Sequence, residues 1–166
     1  MEIVYPTQFI SSLRGKHLLL DTNVFRDAVS RSTDFSRFFN NLKQNDITLV
    51  TVDFVRLELL KGSVNETKYK EKEKLIAEIV DATIPMTPNM IELMYSLIQI
   101  YGIDGTALTI TDVLLGAMLM QYGDNIALLM RDTTDFIQRV FKLLFVVNAP
   151  FGKGIWTYGV YQYINS

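Results

Sequence analysis

His17–Asp27, HLLLDTNVFRD, is the stretch around which the rest of the chain is organised. Leu18, Leu19 and Leu20 make an apolar run of strand length that stops at Asp21, and Thr22 and Asn23 then lead into a predicted helix over Asn23–Ser30. The pattern is that of a buried strand closing on a carboxylate. In open α/β sheets, ligands gather beyond the carboxyl ends of the strands, where side chains and helix N-termini converge. Asp21 is therefore either a helix cap or a ligand, and its own segment does not separate the two, because Asp and Asn are the usual residues at such turns.

Working outward, the same design recurs. Ile47–Val52, ITLVTV, is rich in β-branched residues and reads as a second strand. It is followed by a helix, DFVRLELLKG, which Asp53 is expected to cap and Gly62 to end. Glu58 is the odd charge on that helix: flanked by Leu57 and Leu59, it is costly unless paired or metal-bound, or else it faces water beside Arg56 and Lys61. A nearly apolar helix starts near Thr109 or Thr111 and runs to Gly123, and its one acid, Asp112, lies in the first turn, where it would also complement the helix dipole. Asn125–Met130, NIALLM, is a further buried strand, which ends in Arg131 and Asp132 with Asp135 close behind.

The intervening segments carry structure rather than chemistry. Ser32 or Thr33 is expected to cap a helix whose Phe35, Phe38, Phe39 and Leu42 recur at core-facing spacing, and Asn65–Lys74 is a charge-dense, solvated helix face. Thr87-Pro88 is a helix start, and Met90, Ile91, Met94, Leu97 and Ile98 after it read as core filling. Ile137–Val147 predicts a short helix and then a final strand, Asn148–Gly154 a loop, and IWTYGVYQYI an edge strand or an aromatic patch.

Composition narrows the chemistry. The 166 residues, 49% of them hydrophobic, suffice for one domain with a real core. With no Cys and a single His, His17, lying before the first strand, the chain cannot supply thiolate metal sites, a cysteine nucleophile, a serine triad or a pair of imidazoles. A formal charge of −2 argues against gripping nucleic acid by overall charge. No signal-peptide pattern or 18-residue apolar run is visible, so a cytoplasmic protein without a membrane segment is expected.

Four acids thus stand at strand ends or early in helices: Asp21, Glu58, Asp112 and Asp132. Converging carboxylates raise one another's pKa unless a cation sits among them, and oxygen ligands of this kind suit Mg²⁺ or Mn²⁺. Such ions lower the pKa of bound water and neutralise charge on a phosphodiester, which gives hydrolysis without a histidine base. Arg26, Lys61 and Arg131, close in sequence to the acids, would form a basic rim for phosphates.

The set LLLDTNVF, VTVDFVRLELLKG, TITDVLLGAMLMQYG and LLMRDTTDF resembles the PIN-domain family, and within it the VapC-type toxin ribonucleases, over most of residues 17–147. The resemblance implies an α/β fold, a three-layer α/β/α sandwich with a central parallel sheet, as a single PIN-like domain spanning 1–166. A short lead would precede its core at about 17–147, and an aromatic tail would follow. It implies an endoribonuclease in which Asp21, Asp112 and Asp132 hold Mg²⁺ or Mn²⁺ and Glu58 completes the acidic pocket. Thr22, Asn23 and Asp135 would support it, with Thr22 and Asn23 orienting a metal-bound water. The partners implied are RNA as substrate, an antitoxin protein and a second copy of the chain. Two departures stand out: Met130 occupies a place where many relatives have Thr or Ser, and the tail beyond Asn148 is longer and more aromatic than in compact toxins.

Other readings fit less well. A non-toxin RNA-processing nuclease would use the same acids. A non-catalytic RNA- or protein-binding module would have no reason to keep four like charges together. A haloacid-dehalogenase-like phosphatase needs a second Asp two residues after the first, where this chain has Asn23.

Overall fold

The computed structural model describes residues 2–102, 109–131 and 140–164, with the backbone alone at 101 and 102. Its centre is a six-stranded sheet: β1 (His17–Leu20), β2 (Thr48–Val52), β3 (Ala82–Ile84), β4 (Ile126–Met130), β5 (Phe141–Phe151) and β6 (Gly154–Tyr163), in the order β3-β2-β1-β4-β6-β5. The first four strands are parallel, with Leu18 opposite both Leu49 and Ala127. Leu18, Leu19, Leu20 and all five residues of β4 are buried, as strands covered on both faces must be.

The strand order reverses between β1 and β4, and this fixes the layers. After a short α1 (Gln8–Leu13), the chain steps from β1 to β2 to β3 in one direction through α2 (Thr22–Ser30), α3 (Ser32–Gln44), α4 (Asp53–Lys61) and α5 (Glu66–Ile79). It returns past β1 to β4 through α6 (Pro88–Gly102) and α7 (Ile110–Tyr122). With right-handed crossovers a reversal of direction puts the returning pair on the opposite face, completing the sandwich. The switch between β1 and β4 also opens the crevice in which open α/β sheets place their ligands, and Asp21 stands at its lip.

Local sequence explains most boundaries. Asn65 accepts a hydrogen bond from the Lys68 amide (2.9 Å) to cap α5, and Thr87 accepts one from Met90 (3.3 Å) ahead of Pro88 in α6. Thr109 and Asp112 form a reciprocal capping box on α7, whose residues Val113 to Leu119 are all buried. The aromatic stripe of α3 is core, as its spacing predicts: Phe35, Phe38, Phe39 and Leu42 are all buried. No helix among the described residues is long and apolar enough to cross a membrane.

Several expectations are corrected. Neither Asp53 nor Ser32 caps by its side chain; each is the first residue of its helix, preceded by the extended Val52 and by Arg31 respectively. On α6 only Met90 and Leu97 of the predicted core face are fully buried, and Ile91 and Ile98 are exposed, because α6 packs on α7 rather than on the sheet. The sheet is mixed, since β6 joins β4 antiparallel and β5 closes the edge. The tail is thus an interior strand, and the predicted loop at 148–154 is mostly strand: β5 runs through Pro150 to Phe151, and the turn is only Gly152 and Lys153. Pro150 is tolerated there because β5 is an edge strand, and Gly152, at φ 48°, supplies the turn. The short helix expected after Ile137 falls partly outside the described residues, and from Phe141 onward the chain is strand.

Candidate active site

Asp21 follows β1 directly, and its amide continues the sheet by donating to the Leu129 carbonyl (3.1 Å). Its backbone has the extended conformation of an N-cap, yet its side chain makes no capping hydrogen bond. The residue is only 7% exposed. Burial raises its pKa from 3.8 to about 6; the backbone amide of Thr22 is the strongest opposing influence, the charges of Asp112 and Glu58 add to the rise, and the Asn23 amide also opposes it. Among the described residues no Lys or Arg forms an ion pair with it. A buried carboxylate with no cation beside it among the described residues is destabilising where it stands, which makes it a candidate functional group.

Glu58 ties the other elements to this point. It lies in the second turn of α4 and accepts two hydroxyl hydrogen bonds, from Thr22 to Oε2 (2.7 Å) and from Thr111 to Oε1 (2.5 Å). Both threonines are buried. One follows the first acid and the other precedes the third, so a single carboxylate holds the starts of α2 and α7 together. The expected cost of Glu58 in apolar surroundings is thereby offset by two donors. Thr22 spends its hydroxyl hydrogen on this bond, and Asn23 accepts from Arg26 Nη1 at 3.3 Å.

Asp112 serves two roles. Its side chain accepts from the Thr109 amide (3.3 Å), so beyond complementing the helix dipole as expected it forms half of a capping box. Its charge also acts on Asp21, so α4, α7 and the end of β1 bring Asp21, Glu58 and Asp112 into one neighbourhood. Among the described residues no three such side chains form a complete cation cage. Asp132 and Asp135 lie outside the described residues, but β4 delivers the chain to Met130 and Arg131 on this same edge. The donor set is oxygen throughout, which suits Mg²⁺ or Mn²⁺ and no softer ion.

The basic residues divide. Arg26 and Glu58 line one groove of about 220 Å³ together with Lys72, which the sequence did not single out and whose Nζ donates to the Leu59 carbonyl (2.9 Å). Lys61 is exposed at the last residue of α4 and does not line that groove. A larger hollow of about 870 Å³, between the N-terminal segment, α3 and α5, contains none of the acids.

Arg131 pairs with a different acid, Asp27. Its Nη1 lies 3.2 Å from Asp27 Oδ1 and its guanidinium stacks 4.9 Å from the Trp156 ring centre. Asp27 is 5% exposed and also accepts from the Tyr158 hydroxyl at 2.6 Å. Burial raises the Asp27 pKa, and Tyr158, Arg131 and Arg31 counter it; the same burial and the neighbouring carboxylate push the Tyr158 hydroxyl up. Sequence reasoning missed Thr111, Asp27, Tyr158 and Trp156. Asp27 lay within the decisive stretch, but its partner is 131 residues away, and no local period reports such a bond.

The six-stranded sheet flanked by helices is consistent with a PIN-like α/β/α fold. Two solved structures share the fold. The chain superposes on one from the VapBC2 complex of Rickettsia felis bound to a DNA fragment from its promoter, with TM-score 0.61 and 18% identity over 72% of this chain and 90% of that one. It superposes also on a chain of a toxin–antitoxin complex from Klebsiella pneumoniae, with TM-score 0.53 and 19% identity over 72% and 89% of the two. No protein-family model matches the sequence, and no curated protein matches it.

Proposed function

We propose that the protein is a divalent-metal-dependent endoribonuclease of the PIN type that acts as the toxin of a toxin–antitoxin pair. The observation that carries the nuclease reading is Asp21: a buried carboxylate with no cation paired to it among the described residues, whose pKa burial raises to about 6, with Asp112 and Glu58 adding to the rise. Asp21, Asp112 and Asp132 would hold Mg²⁺ or Mn²⁺, with Asp135 in support. The bound ion supplies a water of lowered pKa and a counter-charge for the phosphodiester. Glu58, fixed by Thr22 and Thr111, keeps the first and third acids in register. Arg26 and Lys72, on the groove that Glu58 lines, are placed to meet phosphates, with Lys61 further out.

The toxin role, with an antitoxin protein as partner, is supported by fold likeness to chains of two toxin–antitoxin complexes, and a homodimer is the assembly proposed with it. A cytoplasmic setting accords with an RNA substrate.

The test is cleavage of a single-stranded RNA by the purified chain with Mn²⁺ and with EDTA. Wild type should cut only with metal, and Asp21→Asn should lose at least about a thousandfold in rate, as expected when a group that organises the transition state is removed. Cleavage that survives EDTA, or an Asp21→Asn variant that cuts like wild type, overturns the proposal.

A further inference from the structure

The β5–β6 hairpin reaches past the sheet on the side where the acids lie. Gly159 is the β6 residue paired with Met130 at the end of β4, so Trp156 stands three residues further on, about 10 Å beyond that edge at ordinary strand rise. The projecting part is nonetheless built to be rigid. Arg31, at the junction of α2 and α3, donates to the Ala149 carbonyl (3.2 Å) and pairs with Asp34 (2.7 Å), and Tyr158 is anchored on Asp27. Helix α2 runs between the two places: Thr22 at its start touches Glu58, and Asp27 near its end touches Arg131 and Tyr158.

What this scaffold presents is a stack. Trp156 packs on Phe151 with ring centres 4.8 Å apart, and the guanidinium groups of Arg131 and Arg31 lie 4.9 and 5.7 Å from its ring centre. Arg31 is largely covered, but the Arg131 side chain is 42% exposed and forms the open side. Each Arg already has a carboxylate, so the stack has little charge to spend on phosphates. Its chemistry is a flat, polarisable, pre-organised surface, which is what unpaired nucleobases stack on.

We infer that Trp156 and Arg131 form a stacking platform for an unpaired nucleobase of the RNA strand whose backbone lies at the acids. The inference rests on the nuclease reading for its substrate but not for its geometry. It gives the aromatic tail a task that a compact sandwich lacks, and it makes the enzyme selective for single strands, because a paired base cannot leave its stack to enter another.

Trp156 is the only tryptophan in the chain, so its fluorescence reports on the platform alone. The full-length protein in EDTA is titrated with a short single-stranded oligoribonucleotide, with the same strand carrying abasic riboses, and with a duplex. The platform predicts strong quenching by the base-bearing strand and several-fold less by the other two. In the cleavage assay with Mn²⁺, Trp156→Ala should raise KM about tenfold and move kcat far less, and Trp156→Phe, which keeps a ring, should restore KM. Equal quenching by the abasic strand, or no quenching where cleavage saturates, overturns the platform and leaves the nuclease reading standing; it would leave the hairpin face to protein contact. Base-dependent quenching with no cleavage under any metal condition overturns the nuclease reading and keeps the platform.

Discussion

Asp21 and Asp27 lie six residues apart around the same helix, both almost fully buried and both with a raised pKa, yet they are opposite kinds of group. Asp27 is compensated: a tyrosine hydroxyl and a guanidinium answer its two oxygens. Asp21 has carboxylates for neighbours. Burial alone therefore does not mark a functional acid. What separates the two is whether the fold brings a cation to the charge, and among the described residues it brings one to Asp27 and none to Asp21. Ion pairs and hydroxyl donors make Asp27 part of the scaffold that fixes the hairpin.

The largest consequence is a difference in pH dependence. In metal-free protein Asp21 holds its proton more tightly when folded, at about 6, than when unfolded, near 3.8. Its contribution is fully present below about pH 3.8, falls as pH climbs toward 6, and changes no further above that, a loss of roughly 3 kcal/mol. Denaturant titrations in EDTA at pH 4 and pH 7 should show this loss in wild type and a much smaller one in Asp21→Asn. An undiminished pH slope in Asp21→Asn would mean that Asp21 is not the strained group.

A smaller effect of opposite sign is expected at the compensated acid. Asp27→Ala leaves the buried Tyr158 hydroxyl without its acceptor and Arg131 without its pair, and should cost about 1–3 kcal/mol at neutral pH. Arg131 is half-exposed, so water recovers part of its loss and the lower half of that range is favoured. Thermal melts of the variant check it, and a neutral or stabilising Asp27→Ala would erase the distinction between the two acids.

The residues that were legible in the sequence are those whose signal is local. An apolar run ending at Asp21, the β-branched Ile47–Val52 and the apolar Asn125–Met130 each announce an element within a few positions, and three parallel neighbouring strands follow from them. What was illegible depends on distant partners. Thr111 meets Glu58 across 53 positions, and Tyr158 meets Asp27 across 131, so only the folded chain shows that Glu58 is satisfied and Asp27 buried for a reason. The hairpin was obscured for a different cause: Pro150, Gly152 and Gly154 look like a loop unless it is known that β5 lies at the sheet's edge, where a missing amide donor costs nothing.

The central claim is that Asp21 awaits a cation and Asp27 does not. It is tested most directly by melting wild type, Asp21→Asn and Asp27→Asn at neutral pH, each with EDTA and with saturating Mn²⁺. A ligand that binds only the folded state raises Tm by mass action, so wild type and Asp27→Asn should both gain from Mn²⁺, by the equivalent of about 3 kcal/mol at a hundred times Kd. Asp21→Asn should gain little and should start from a higher Tm in EDTA. An equal Mn²⁺ shift in Asp21→Asn and wild type would contradict the account.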